Sequence, residues 1–145
     1  MYLLDTNVVS EMRKVKRGRG DPTFSAWAVS VESESLYVSA ITIQELEIGV
    51  LLAERHDPLT GAVLREWLDR QVFEAFDSRI LPVDFQVARR AAALHIPDPA
   101  PVEDALIAAT ALTHGMKMVT RNTRHFKRFH PLQMLDPWKE KITES

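Results

Sequence analysis

At 145 residues, with 46% hydrophobic and 26% charged side chains, the chain is long enough for one buried core and is expected to form a single domain over residues 1–145. The absence of cysteine excludes a disulfide framework, a thiolate zinc site and a cysteine nucleophile. A formal net charge of −2 argues against a protein that coats nucleic acid non-specifically. No apolar run approaches the ~18 residues needed to span a bilayer, so no membrane partner is expected. The start lacks a basic leader and a small-residue cleavage site, which makes a cytoplasmic protein the expectation.

Residues 1–5 read as a buried strand that ends on Asp5, followed by a helix from Asn7 to about Met12. Lys16-Arg17-Gly18-Arg19-Gly20-Asp21-Pro22 is a loop rich in turn formers. Phe24, Trp27, Ala28 and Val31 recur at helical spacing, and Leu36-Tyr37-Val38 reads as a second strand. Thr42 to about Arg55 is predicted helical, with Ile43, Leu46, Val50 and Leu51 on one face. His56-Asp57-Pro58 breaks it, and an amphipathic helix from Gly61 to Phe76 carries the stripe Leu64, Trp67, Leu68, Val72 and Phe76.

Ile80-Leu81-Pro82-Val83 reads as a short edge strand or strand end, because proline cannot donate to a ladder. Helices are predicted over Phe85–Ile96 and Val102–His114, the second apolar nearly all round and capped by Gly115. Met116–Thr120 is a fourth strand, Arg124–Phe129 a short basic helix, and Gln133–Leu135 a last strand. Strands alternating with helices predict an α/β fold, with a mostly parallel sheet of four to five strands covered on both faces.

In such sheets ligands bind beyond the carboxyl ends of the strands. Three acids fall at strand-end or helix-start positions: Asp5, Glu45 in SAITIQELEIG and Asp104 in PAPVEDALIAATA. Each also has a local reading. Asp5 can cap the first helix, Thr42 and Glu45 have the form of a capping box, and Asp104 can complement a helix dipole. Together they point elsewhere, because three carboxylates at one edge repel at low effective dielectric unless something neutralises them. Asp104 is moreover expected in dry surroundings among Val102, Ala105, Leu106 and Ile107. A hard divalent cation, Mg²⁺ or Mn²⁺, takes such oxygen ligands and suits phosphoryl chemistry.

LLDTNVVSE, ITIQELEIG and EDALIAATALTHGMKMVTRNTRHF, in that order and spacing, resemble a PIN-domain ribonuclease. More narrowly, they resemble the VapC-type toxins of bacterial toxin–antitoxin pairs, including the FitB-like branch. The resemblance implies a three-layer α/β/α fold and Mg²⁺- or Mn²⁺-dependent cleavage of RNA. It also implies homodimers and inhibition by a protein antitoxin. Asp5, Glu45 and Asp104 match the metal-binding acids, Thr6 and Asn7 the polar residues after the first acid, and Thr120 the hydroxyl of VTRN.

A fourth acid found in relatives is missing: Asn122 and His125 stand at the two places where it occurs. Asn122 keeps a carbonyl oxygen but brings no charge, so the expectation is three acids and one main ion. Glu103 points about 100° away from Asp104 on a helix and is not expected at the same ion. Arg13, Lys14, Arg121 and Arg124 belong to two basic segments that can line an RNA backbone path. No histidine is assigned a role.

Other Mg²⁺-binding folds with strand-end aspartates fit less well. A dehalogenase-like phosphatase needs an aspartate where Asn7 stands, and a receiver domain needs a lysine that TRN does not supply. The alternative is a catalytically weak or inactive binding module of the same fold. Trp27, Trp67 and Phe73 are candidates for an exposed dimer surface; all three could equally belong to the core, and the regular apolar stripe favours the core for Trp67.

Overall fold

In the computed structural model, which describes residues 1–139, the five expected strands form one sheet. They are β1 (Tyr2–Leu4), β2 (Leu36–Ser39), β3 (Ile80–Leu81), β4 (Lys117–Val119) and β5 (Met134–Leu135). Their order is β3-β2-β1-β4-β5, and every neighbouring pair is parallel. β3 lies at one edge, which is where the following Pro82 is tolerated. The last six residues of the expected domain, 140–145, lie outside the described residues.

Period-two alternation divides the core. Leu4 and Val119 face a cluster with Val8, Phe24, Trp27, Val38, Val50 and Leu68. Leu3 and Met118, their neighbours in β1 and β4, face a second cluster with Ala105, Ile107, Ala108 and Phe126. The sheet is therefore covered on both sides, as a three-layer α/β/α arrangement.

The helices are α1 (Thr6–Lys16), α2 (Pro22–Ser30), α3 (Ala40–His56) and α4 (Pro58–Glu66), followed by α5 (Phe73–Ala75), α6 (Phe85–Ala93), α7 (Val102–Thr113) and α8 (Thr123–Phe126). α1 runs past its expected end at Met12, because Arg13, Lys14 and Lys16 suit the negative end of a helix. The loop after it folds back, and the buried Glu11 carboxylate accepts the Asp21 amide at 2.8 Å. α4 begins at Pro58 rather than Gly61, capped by Asp57. Residues Trp67–Val72 form a π-helical turn, and Trp67, Leu68, Val72 and Phe76 are all buried. α6 stops at Ala93, three residues before the expected Ile96, and α8 ends at Phe126 rather than Phe129. Gly115, at φ +64°, adopts the left-handed conformation after α7 that its cap role requires.

Two tryptophans considered for a dimer surface are core residues. Trp27 and Trp67 are buried, and Phe73 is half-buried. Five exposed apolar side chains lie together on α3 (Ile48, Leu51, Leu52) and α4 (Leu59, Val63), while Met1, Val29, Phe85, Ile96 and Val102 are exposed elsewhere; Leu51 thus leaves the buried face assigned to it. α3 and α4 pack as a tight hairpin. Arg65 joins them, bonded to both oxygens of Glu47 at 3.1 and 2.6 Å and to Glu54 at 3.2 and 3.3 Å.

The close approach sits at Gly61, where an added Cβ would lie 2.4 Å from the Glu54 Cα. Gly61→Ala is therefore expected to destabilise the protein by about 1–3 kcal/mol. Gly49, with open space around it in α3, is the converse: Gly49→Ala is expected to stabilise by roughly 0.5–1 kcal/mol. Urea-denaturation midpoints of the two variants check both signs.

Candidate functional site

The strand order reverses between β1 and β4, since β2 and β3 extend on one side of β1 while β4 and β5 extend on the other. Such a switch point opens a crevice beyond the strand ends. Asp5 follows β1 there and Thr120 follows β4, with the Asp5 amide donating to the Val119 carbonyl at 2.9 Å. Both residues are buried.

The Asp5 carboxylate is held from two sides. Oδ1 accepts the Thr6 amide at 2.8 Å, which caps α1, and Oδ2 accepts the Thr120 hydroxyl at 2.8 Å. Asn7 Nδ2 lies 3.4 Å from the same Oδ2. Thr120 in turn accepts the Asn122 amide at 3.0 Å, and the Arg121 amide donates to Asn7 Oδ1 at 3.4 Å. Residues 120–122 thus cross the edge as a turn tied to the start of α1.

Glu45 joins them through Thr6, whose hydroxyl donates to Glu45 Oε1. The capping box that Thr42 and Glu45 could have formed locally is absent. α3 starts at Ala40, Ser39 Oγ caps it by accepting the Ile41 amide at 3.0 Å, and Thr42 is buried in the first turn. Glu45 therefore lies beyond the cap and bonds across to another element. Asp104 occupies the third position of α7 and is half-buried rather than enclosed, because the first turn, with Val102 and Glu103 exposed, is open while Ile107–Ala111 are buried all round the helix.

The acids act on one another. Burial raises the Asp5 carboxyl above its ordinary range, against the pull of the Thr120 and Thr6 hydrogen bonds. Burial raises Glu45 as well, and the charges of Asp5, Glu103 and Asp104 push it further. Asp104 is raised by burial, then by Asp5 and Glu103. His125, on α8, opposes the trend at Asp5 and Asp104. Glu103 and His125 thus belong to the charge field, although neither was given a part from sequence. The available signal for His125 was its position three residues after Asn122, one of the two places where the family resemblance implies an acid.

Among the described residues, none of the ion pairs involves Asp5, Glu45 or Asp104. Nor do any three acidic or imidazole groups converge on one point as a finished ligand set. In chemical type the site fits a hard divalent cation: its donors are oxygens and its charges repel. A cation would have to draw the carboxylates inward by side-chain rotation.

The cationic residues divide. Arg121 and Arg124 are exposed on the segment that closes the edge. Arg13 and Lys14 are not brought there: they lie seven and eight residues down α1 from Thr6, about 10–12 Å along the axis. Arg13 sits 5.9 Å from the Trp67 ring centroid, and Lys14 pairs with Glu11 at 3.7 Å.

A profile of the PIN domain matches residues 2–130. The chain belongs to the PIN-domain family. This PIN domain is 37% identical over 149 residues to Toxin FitB of Neisseria gonorrhoeae, covering 97% of this chain and all of that one. It is 34% identical over 144 residues to VapC ribonuclease Y4jK of Sinorhizobium fredii, covering 96% and 99%. The crystal structure of FitAcB from Neisseria gonorrhoeae superposes with a TM-score of 0.84 at 34% identity, over 97% of this chain and 100% of that one.

The raised carboxyls set a direction for stability. A carboxyl whose folded value exceeds its unfolded one disfavours folding once ionised, so stability falls as pH rises through the raised value and stays lower above it. Asp104→Asn removes one such group. In EDTA its melting temperature should exceed that of the parent by a few degrees near pH 7, and the gain should vanish below about pH 3. Thermal denaturation across that range measures it.

Proposed function

We propose that this PIN domain is a metal-dependent endoribonuclease and the toxin of a toxin–antitoxin pair, acting in the cytoplasm as a single domain. The observation that carries the reading is the shared field at the sheet edge, where Asp5, Glu45 and Asp104 are each raised and none has a basic ion-pair partner among the described residues. Asp5, Glu45 and Asp104 would hold one main ion, Mg²⁺ or Mn²⁺. When bound, such an ion lowers the pKa of a water and stabilises charge on the phosphate oxygens.

The chain's own residues do the positioning. The Thr120 hydroxyl and the Thr6 amide fix both oxygens of Asp5, and the Thr6 hydroxyl restrains Glu45. Asn7 ties the start of α1 to the turn at Arg121. Asn122 offers a carbonyl oxygen to orient a water without adding charge. Arg121 and Arg124 supply cations for the phosphates flanking the cut. Arg13 and Lys14 drop out of this role because of their distance from the edge.

Similarity to VapC ribonuclease Y4jK and Toxin FitB supports the substrate class and the toxin role. A protein antitoxin is the expected partner. An apolar groove of about 280 Å³ between α1, α2 and the π-helical turn, rimmed by Arg13, Lys16 and Arg79, suits an apolar segment flanked by acids. The exposed apolar side chains of α3 and α4 support a homodimer.

The alternative is a PIN-fold module with little turnover that binds RNA or a partner protein. Its support is the absence of an acid at Asn122 and His125.

Incubation of purified, antitoxin-free protein with total bacterial RNA and Mn²⁺ or Mg²⁺ separates the two. Cuts at discrete sites are expected, lost in EDTA and reduced on the order of 100-fold or more in Asp104→Asn. Equal cutting by both proteins would contradict the assigned site. RNA binding without cutting would favour the module.

A further inference from the structure

Arg121 is rooted in the turn that closes the acidic edge. The residue before it donates to Asp5 at 2.8 Å, its own amide donates to Asn7 at 3.4 Å, and the amide after it donates to Thr120 at 3.0 Å. A long cation anchored beside three carboxylates would ordinarily fall onto one of them. Among the described residues, however, Arg121 makes no ion pair.

Its guanidinium carbon lies instead 5.0 Å from the centroid of the Trp138 ring, the shortest of the five cation–ring contacts in the described residues. The indole is itself fixed. It lies 4.7 Å from the Phe24 ring of α2, and the Trp138 amide donates to Asp136 Oδ1 at 2.9 Å. Trp138 is half-buried and borders the core cluster that includes Leu4 and Val119, the last residues of β1 and β4. The chain after β5 thus returns to the strand ends that bear Asp5 and Thr120.

We propose that Trp138 is a positioning residue for the substrate: its indole holds the Arg121 guanidinium beside the acidic edge, poised to grip an RNA phosphate. The inference rests on the ribonuclease reading and adds to it a residue outside the acidic motifs. A ring attracts a guanidinium through its face and leaves the N–H groups at the rim free. Those donors suit a phosphate in a two-pronged contact. Holding the cation off the carboxylates also leaves their oxygens free for a metal ion. The site then keeps opposite charges side by side, one set for the ion and one group for the strand.

The test is the binding of a labelled single-stranded RNA oligonucleotide, followed by fluorescence anisotropy over a range of salt. The protein is the full chain carrying Asp104→Asn, so that the RNA stays intact. Added to this background, Trp138→Leu and Arg121→Gln are each expected to weaken binding roughly three- to tenfold. Each should make the plot of log K against log salt shallower by about 0.7, the loss of one phosphate contact on a single strand. The two together should be no worse than one alone. Trp138→Phe, which keeps an aromatic face, should retain most of the affinity.

The proposal is overturned if Trp138→Leu binds like its parent, if the two losses multiply, or if the parent binds no RNA. It is equally overturned if Phe and Leu weaken binding alike and only in step with a lowered melting temperature. Cleavage by the unsubstituted protein judges the ribonuclease reading separately. Cutting with unchanged Trp138→Leu binding defeats this proposal alone. Absence of cutting with the binding pattern intact defeats only the ribonuclease reading.

Discussion

The Asp5 carboxylate is buried at the end of β1, between the Thr6 amide that starts α1 and the Thr120 hydroxyl that ends β4. Burying a charge in this way is unfavourable unless hydrogen bonds and neighbours compensate, and here they do so only in part, since the carboxyl remains raised. The surroundings of the site follow from that constraint. The 120–122 turn is shaped to bring a hydroxyl onto Asp5, and the first turn of α1 is shaped to bring an amide there. Thr6, serving both Asp5 and Glu45, links the two acids through one residue.

The same constraint separates the chemistry from the scaffold. At the sheet edge, charges of one sign accumulate, and among the described residues none of them forms an ion pair. On the α3–α4 hairpin and the turn that follows it, Glu47, Glu54 and Asp69 all pair with Arg65. Surface pairs of that kind contribute little stability individually. Their presence nevertheless shows what the edge lacks. A protein that could have placed a lysine or arginine against Asp5 keeps Arg121 on an indole instead.

The fold was readable because period-two strands and amphipathic helices leave strong patterns, and β1 and β4 end at Leu4 and Val119, one residue short of the expected Asp5 and Thr120. The positions of Asp5, Glu45 and Asp104 at strand ends and helix starts followed from the same alternation. What the sequence misstated depended on distant partners. Thr42 and Glu45 match a capping box locally, but Ser39 takes the cap and Glu45 meets Thr6, 39 positions away in the chain. Arg13 and Lys14 looked close to Asp5 in sequence, yet two turns of helix carry them off the edge. Trp67 turned inward as its apolar stripe suggests, whereas Trp27 gave no clear sign and is buried as well. Trp138 carried no motif, and its meaning depends on Phe24 and Arg121, neither of which is near it in the chain.

The central claim is that the carboxylates of Asp5, Glu45 and Asp104 act as one cation-binding group. Amide NMR spectra recorded during a sub-stoichiometric Mn²⁺ titration test it directly, because paramagnetic broadening reports distance from the ion. The account expects selective, saturable loss of the amide signals of residues 5–7, 45 and 104, together with those of the 120–122 turn, while the α3–α4 hairpin tip near Asp57 stays sharp. Broadening centred on another acidic group, such as Glu47 and Glu54, or no selective broadening at all, would contradict it.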